Sequence, residues 1–91
     1  MIMDILKCAS AGTMESSDAY VEIEPCDSGL NIEIESVVLK QFGEKIKLAV
    51  RDVMREQGVE KASVRVMDRG ALECVIRARV ETAVLRGKGE E

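Results

Sequence analysis

Two neighbouring stretches of alternating apolar and polar residues constrain the fold of this 91-residue chain more than any other feature. They cover residues 19–24 and 30–35, and residues 25–29 between them are turn formers. A period of two residues is typical of strands with one buried face. The short connection predicts an antiparallel hairpin whose outer face carries four glutamates. These are Glu22, Glu24, Glu33 and Glu35.

A helix is predicted after this hairpin. Apolar residues recur at helical spacing from Leu39 to Met54, Ser36 is placed to cap the helix, and Gly58 is placed to end it. Gly43 lies inside and costs about 1 kcal/mol relative to alanine. The predicted buried positions are Leu39, Phe42, Ile46, Ala49, Val50, Val53 and Met54.

The last third of the chain leaves one segment open. Val64 and Val66 predict a third strand, and residues 68–70 have turn composition. Residues 71–80 fit a strand with Cys74 inside, but they also fit a helix. We favour a strand, followed by a short helix from about Val80. Outward arginines would then oppose the glutamates of the hairpin. These arginines are Arg65, Arg77 and Arg79.

The patterns together predict a small single α+β domain. Its elements follow the order β-β-α-β-β-α, with an antiparallel sheet and helices on one face. Residues 1–17 show no period and are typical of a loop or an ordered arm. We therefore expect a flexible N-terminal arm over 1–17, a domain over 18–86 and a frayed tail over 87–91.

Composition excludes several classes of function. The chain has no histidine, so histidine-based catalysis within it is ruled out. A net charge of −4 with one Phe and one Tyr argues against nucleic-acid binding. No segment is long and apolar enough to cross a membrane, and the opening residues do not form a signal peptide, so we expect a cytoplasmic protein.

The three cysteines do not predict a metal site. Cys8, Cys26 and Cys74 form no Cys-x-x-Cys pair and are odd in number. We expect reduced thiols, with Cys74 in the core. The clustered glutamates are spaced as a solvated strand face and predict no acid–base pair.

The remaining candidates for chemistry are serines. None of Ser10, Ser16, Ser17 and Ser28 can have a histidine partner in this chain, so a functional serine must be acted on by another protein. Residues 11–18 hold small, acidic and hydroxyl residues just before the first predicted strand. They fit an ordinary loop, and they also fit the exposed segment that a modifying enzyme requires.

Four separated motifs resemble one known family. From about Ala9 to Leu85 they occur in the order and at the intervals found in the citrate lyase acyl carrier proteins, also called gamma subunits. The motifs are Ala11-Gly12-Thr13-Met14-Glu15-Ser16-Ser17-Asp18, Lys40-Gln41-Phe42-Gly43, Asp68-Arg69-Gly70-Ala71-Leu72-Glu73-Cys74 and Arg77-Ala78-Arg79.

This resemblance implies a non-catalytic carrier. In that family a 2'-(5''-phosphoribosyl)-3'-dephospho-coenzyme A group is joined by a phosphodiester to the serine that corresponds to Ser16. The next position varies between serine and glycine, which makes Ser17 the weaker candidate. The thiol of the group carries acetyl or citryl while the alpha and beta subunits convert citrate to acetate and oxaloacetate. The implied partners are these two subunits and the transferase that attaches the group.

Two alternatives stay open. The carrier subunit of malonate decarboxylase has a similar group and a related layout, and an unmodified interaction module would also fit a small domain without catalytic residues. The sequence Asp27-Ser28-Gly29 is interpreted as a turn and not as the attachment motif of helical acyl carrier proteins.

Overall fold

The structure is a computed structural model that describes residues 5–36 and 39–89, and these residues form four strands and two helices. The strands form one mixed sheet in the order β1-β2-β4-β3, and both helices pack on the sheet and on each other. The predicted class, a small single α+β domain, is confirmed. The elements are β1 (Ala9–Gly12), β2 (Ala19–Pro25), β3 (Leu30–Ser36), α1 (Leu39–Glu56), β4 (Ala62–Asp68) and α2 (Glu73–Gly87).

The core lies between one face of the sheet and the two helices. Apolar residues alternate along β2 and β4 and turn their side chains toward α1 and α2, because a strand presents every second residue to the same face. The largest fully buried side chains are Val21, Ile23, Val50, Met54, Val64, Val66, Val80 and Val84. Of the positions predicted on the buried face of α1, Phe42 is an exception, since it is 44% exposed.

The predicted hairpin between the two acidic strands is wrong. β4 lies between them, antiparallel to β2 and parallel to β3, so the sheet is mixed. In this register Arg65 stands opposite Glu22 on one side and Glu33 on the other. Its guanidinium lies 3.9 Å and 3.4 Å from their carboxylates. A direct pairing of the acidic strands would have set like charges side by side, and inserting β4 separates them.

The strand predicted over residues 71–80 is also wrong, because this segment belongs to α2. The buried residues of α2 lie on one continuous helical stripe, and Cys74 is exposed. A helix at this place packs on β1 and β2, whereas α1 packs mainly on β3. The buried residues are Ile76, Val80, Ala83, Val84 and Gly87.

The position of α2 changes the partners of two arginines. Arg77 joins the two helices, with its guanidinium 3.1 Å from Glu56 and 3.9 Å from Asp52. Arg79 pairs with Asp18. Of the three arginines predicted to face the hairpin glutamates, Arg65 alone does so.

Described residues of both predicted terminal segments take part in the fold. Residues 9–12, predicted as loop or arm, form β1 at the edge of the sheet. The carbonyl of Gly87, in the segment predicted to fray, accepts hydrogen bonds from the amides of Leu6 and Lys7 at 2.9 Å and 3.2 Å. Lys88 is buried and its Nζ donates to the carbonyl of Gln57 at 2.6 Å. The rest of the predicted tail, residues 90 and 91, lies outside the described residues.

The predicted boundaries of α1 are correct at one end. Gly58 follows the helix with φ of 71°, a left-handed conformation that suits glycine. Ser36, predicted to cap α1, is the last residue of β3, and its hydroxyl donates to Asp68 Oδ2 at 2.7 Å. The two residues between Ser36 and α1 lie outside the described residues.

Candidate functional site

Three connections of the chain meet at one end of the sheet. β1 ends and β2 begins there, and the register places Ala19 beside Asp68 and Asp68 beside Ser36. The loop over residues 13–18, the connection over 69–72 and the start of α1 are therefore neighbours. Residues 13–18 contain the serine that the sequence singled out.

The loop over residues 13–18 is built on its own hydrogen bonds. The hydroxyl of Thr13 donates to Asp18 Oδ2 at 2.6 Å and accepts from the amide of Glu15 at 3.3 Å. The amide of Asp18 donates to the carbonyl of Glu15 at 3.2 Å. These bonds close the base of the loop across its two ends.

Asp18 ties this loop to α2. Its two carboxylate oxygens accept from Nε and Nη2 of Arg79 at 3.0 Å and 3.1 Å, a bidentate pair that fixes direction as well as distance. Oδ1 also accepts from the amide of Ala19 at 2.7 Å. The hydrogen bond from Thr13, followed by those from Arg79 and Ala19, lowers the pKa of Asp18 from 3.8 to about 2.

Two backbone hydrogen bonds, called the backbone clip below, join the same loop to the connection after β4. The amide of Ser17 donates to the carbonyl of Arg69 at 2.8 Å, and the amide of Arg69 donates to the carbonyl of Asp18 at 2.9 Å. Ser17 has φ of 64°, a left-handed conformation in which glycine is unstrained. The backbone conformation at position 17 therefore favours glycine over other residues.

Ser16 is exposed, as are the other loop residues from Thr13 to Ser17. Within the described part of the chain, neither its hydroxyl nor that of Ser17 has a hydrogen-bond partner, while the side chains of Thr13 and Asp18 and the backbone amide of Ser17 are bonded. A hydroxyl presented in this way is accessible to the active site of another protein and is held at a fixed place on the surface. Its attachment role stays a prediction.

Gly12 sets the geometry at the entrance of the loop. Its φ is 93°, and a Cβ at this position would collide with the carbonyl oxygen of Ala19. The close approach of the two strand ends thus requires glycine. Position 12 lies four residues before Ser16 and fixes how the loop leaves β1.

Three exposed apolar side chains lie at the same end of the molecule as the loop. Met14 is 46% exposed, and Leu72, just before α2, is 72% exposed. Phe42, in the first turns of α1, belongs to the same end of the molecule. Exposed apolar side chains gathered around one loop mark an interaction surface.

The other candidate serines lie elsewhere. Ser10 is half-buried in β1, and its carbonyl accepts from Arg86 at 2.8 Å. Ser28 is exposed in the turn between β2 and β3, at the opposite end of the sheet. There its hydroxyl lies 3.1 Å from the Cys26 sulfur, and this hydrogen bond lowers the pKa of the Cys26 thiol. The structure thus separates Ser28 from the loop over residues 13–18.

Neither a metal cluster nor a membrane helix occurs in the parts of the chain that the structure describes. No three of the described Cys, Asp and Glu residues are grouped so that they could hold a metal ion. Neither described helix is long and apolar enough to span a bilayer.

The sequence indicated Ser16 but missed the residues that position it. Arg79 lies 61 positions after Asp18, and Arg69 contacts the loop through its backbone alone. A pairing over that distance leaves no local pattern. The sequence did indicate a turn at residues 68–70, and Arg69 lies in that turn.

Comparison with known proteins identifies the family. A family model described as "Malonate decarboxylase delta subunit (MdcD)" matches residues 7–87. A protein of Escherichia fergusonii named "Citrate lyase acyl carrier protein" is 53% identical over 85 residues, which cover 92% of this chain and 88% of that protein. A protein of the same name from Haemophilus influenzae is 53% identical over 88 residues, covering 97% and 92%.

A solved structure shares the fold. One chain in the crystal structure of a Pseudomonas malonate decarboxylase hetero-tetramer in complex with malonate superposes with a TM-score of 0.77. The match covers 89% of this chain and 84% of that chain at 23% identity. From the matching family model and the relatives that are 53% identical, it follows that this chain belongs to the family of citrate lyase acyl carrier proteins, which are carriers and not enzymes.

Proposed function

We propose that this protein is the acyl carrier subunit of citrate lyase and that Ser16 bears its prosthetic group. The observation that carries the proposal is the presentation of Ser16 in the loop over residues 13–18. That loop is held by Asp18 and by the Arg69 backbone, and its exposed hydroxyl is left unbonded by the described residues. A carrier needs an attachment point that is open to a transferase and anchored to a stable body.

Acyl carrier proteins hold their acyl chain on a covalently attached group. The group proposed here is 2'-(5''-phosphoribosyl)-3'-dephospho-coenzyme A, whose thiol supplies the thioester chemistry. The Ser16 oxygen would attack the phosphorus of a polyphosphate-activated donor, the P–O bond to the leaving pyrophosphate would break, and the hydroxyl proton would pass to solvent, which leaves Ser16 Oγ as the bridging oxygen of a phosphodiester. The residues present fit this group, because Ser16 is unobstructed and Arg69 beside the loop is a cation for its phosphates.

The partners follow from this role. We propose that the carrier docks on the citrate lyase alpha and beta subunits and on the transferase that attaches the group. The loop over residues 13–18 is called the attachment loop below. Docking at this end of the molecule is supported by its exposed apolar side chains, which are Met14, Phe42 and Leu72. A tethered thiol then meets each active site at an effective concentration on the order of millimolar, which favours transfer without release. We place the protein in the cytoplasm, where its three free cysteines would stay reduced.

A carrier role in malonate decarboxylase is the second candidate. It is supported by the description of the matching family model and by the fold shared with a chain of the Pseudomonas complex. The identity of 53% to proteins named for citrate lyase favours the first candidate.

Reconstitution distinguishes the candidates. The modified protein is added to citrate lyase alpha and beta subunits that lack a carrier, and in parallel to malonate decarboxylase that lacks its carrier. We expect citrate cleavage to be restored and malonate decarboxylation to stay absent. Modified wild-type protein that restores the malonate reaction alone supports the second candidate, and restoration of neither supports an interaction module.

A further inference from the structure

An apolar groove opens next to the attachment loop. It lies between the first turns of α1 and the start of α2 and has a volume of about 350 Å³. Its lining includes Phe42, Ile46, Ala71, Leu72 and Ile76. Leu72 and Phe42 are 72% and 44% exposed, so the rim of the groove presents apolar surface to water.

The groove is directly connected to the loop that bears Ser16. The backbone clip between Ser17 and Arg69 ends one residue before Gly70, which lines the groove. Asp68 fixes this wall, because its Oδ1 accepts from the amides of Gly70 and Ala71 at 3.1 Å and 2.8 Å. The attachment loop and the groove therefore belong to one rigid corner of the molecule.

Two cations lie near the loop and the groove. Arg69 adjoins the loop beside Met14 and Glu35, outside the groove lining, and Lys45 lines the groove with its Nζ 6.0 Å from the centre of the Phe42 ring. Neither forms an ion pair with a residue in the described ranges, although the chain carries a net charge of −4. Unpaired cations beside an attachment point are suited to phosphate groups.

We propose that this groove is the resting site of the prosthetic arm carried by Ser16. The inference rests on the proposed function. The phosphates of the arm would lie by Arg69 and Lys45, and its less polar end, which bears the thiol, would lie on Phe42 and Leu72. Burial of apolar arm surface against these side chains removes both from water.

Weak binding is sufficient for such a site. A short tether gives an effective concentration on the order of millimolar, so a site of millimolar affinity is half occupied. Weak occupancy also suits a carrier, because the thiol has to leave the groove when a partner's active site accepts it. While at rest, the acyl thioester is shielded from water.

The test is backbone amide NMR of the full chain in its modified and unmodified forms. Intact mass first establishes that the modified sample carries the group. We expect amide shifts between the two forms at residues 42–46 and 70–76 in addition to residues 13–18. In modified Leu72→Gln the shifts at 42–46 should shrink to a small fraction of their wild-type size. Leu48→Gln, which replaces another exposed leucine of α1 outside the groove lining, should leave them unchanged.

The outcomes separate the two proposals. An adduct with shifts confined to residues 13–18 overturns the resting site and leaves the carrier role intact. Shifts at 42–46 that persist in Leu72→Gln also overturn it. Protein from its native host that carries no adduct overturns the attachment at Ser16, and the resting site with it.

Discussion

Asp18 has the most consequential side chain near the attachment point. It accepts hydrogen bonds from Thr13, Ala19 and Arg79, and so joins the loop, β2 and α2 at one carboxylate. Ser16 and Ser17 are similar in sequence. The backbone of Ser17 is bonded to Arg69, and neither serine hydroxyl takes part in the hydrogen bonds of the described residues. Anchored neighbours and an exposed hydroxyl are what a modification site requires.

From the low pKa of Asp18 we predict that acid weakens the contacts that hold the loop over residues 13–18. Its pKa is lowered from 3.8 to about 2 in the folded protein. The carboxylate therefore stabilises the fold fully when the pH is above its pKa in the unfolded chain, and this stabilisation is lost as the pH falls through its pKa in the folded protein. We expect Asp18→Asn to be less stable than wild type at neutral pH, with the difference vanishing as the pH falls from about 4 to 2. Urea unfolding across this range measures it.

Asp27→Asn is the matched control, because Asp27 is an exposed loop aspartate outside the hydrogen-bond network of the described residues. It should leave the unfolding midpoint unchanged at neutral pH. An Asp18→Asn difference that is independent of pH over this window would show that the carboxylate does not titrate as proposed.

We predict that a side chain at position 12, where the loop begins, destabilises the protein. Gly12→Ala introduces a Cβ against the Ala19 carbonyl oxygen at a φ of 93°. Gly29→Ala places a Cβ at a φ of 107° with no atom of the described structure within 4 Å. A non-glycine residue at such a φ costs about 1–3 kcal/mol, and the collision adds to this cost for Gly12 alone. Urea unfolding should therefore show the larger loss for Gly12→Ala, and equal losses would refute the close approach.

At the scale of the elements, the sequence predicted which residues form α1, β2, β3 and β4 but not which strands pair. Alternation reports the buried face of a strand and carries no information about its neighbour. The pairing of Arg65 with Glu22 and Glu33 favours a β4 that lies between the acidic strands. The apolar residues of segment 71–80 fit the period of a strand and also that of a helix. The segment is a helix because in this form it covers the apolar faces of β1 and β2.

From the packing of α1 on the sheet we predict that two of its apolar residues contribute unequally to the free energy of unfolding. Met54 is fully buried and Leu48 is 53% exposed. Met54→Ala should lower the free energy of unfolding by about 2–5 kcal/mol, because it removes core contacts and leaves a cavity. Leu48→Ala should change it by less than about 0.5 kcal/mol. Similar losses for both variants would contradict the orientation of α1.

At the scale of the whole molecule, the two faces of the sheet have different roles. One face builds the core with the helices, and the other carries glutamates that the described structure leaves exposed. Glu22 and Glu33 share Arg65, whereas Glu35 has no such partner among the described ion pairs and lies beside Met14 and Arg69 near the attachment loop. We propose that this face contributes to docking on the citrate lyase subunits.

Charge reversal tests this docking. Glu35→Lys should weaken assembly with the alpha and beta subunits, and raising the salt concentration should weaken the wild-type complex in the same direction. Size-exclusion chromatography of the mixed subunits measures both effects. Unchanged assembly would mean that Glu35 serves as solubilising surface alone.

The attachment of the prosthetic group at Ser16 is the central claim, and intact-mass measurement of protein from its native host tests it most directly. Wild type should carry the mass of 2'-(5''-phosphoribosyl)-3'-dephospho-coenzyme A joined through a phosphodiester, and Ser16→Ala should carry none. Ser17→Gly, which removes the neighbouring hydroxyl and suits the φ of 64° at that position, should keep the full adduct. An unmodified wild-type chain, or an adduct that survives Ser16→Ala, would contradict the account.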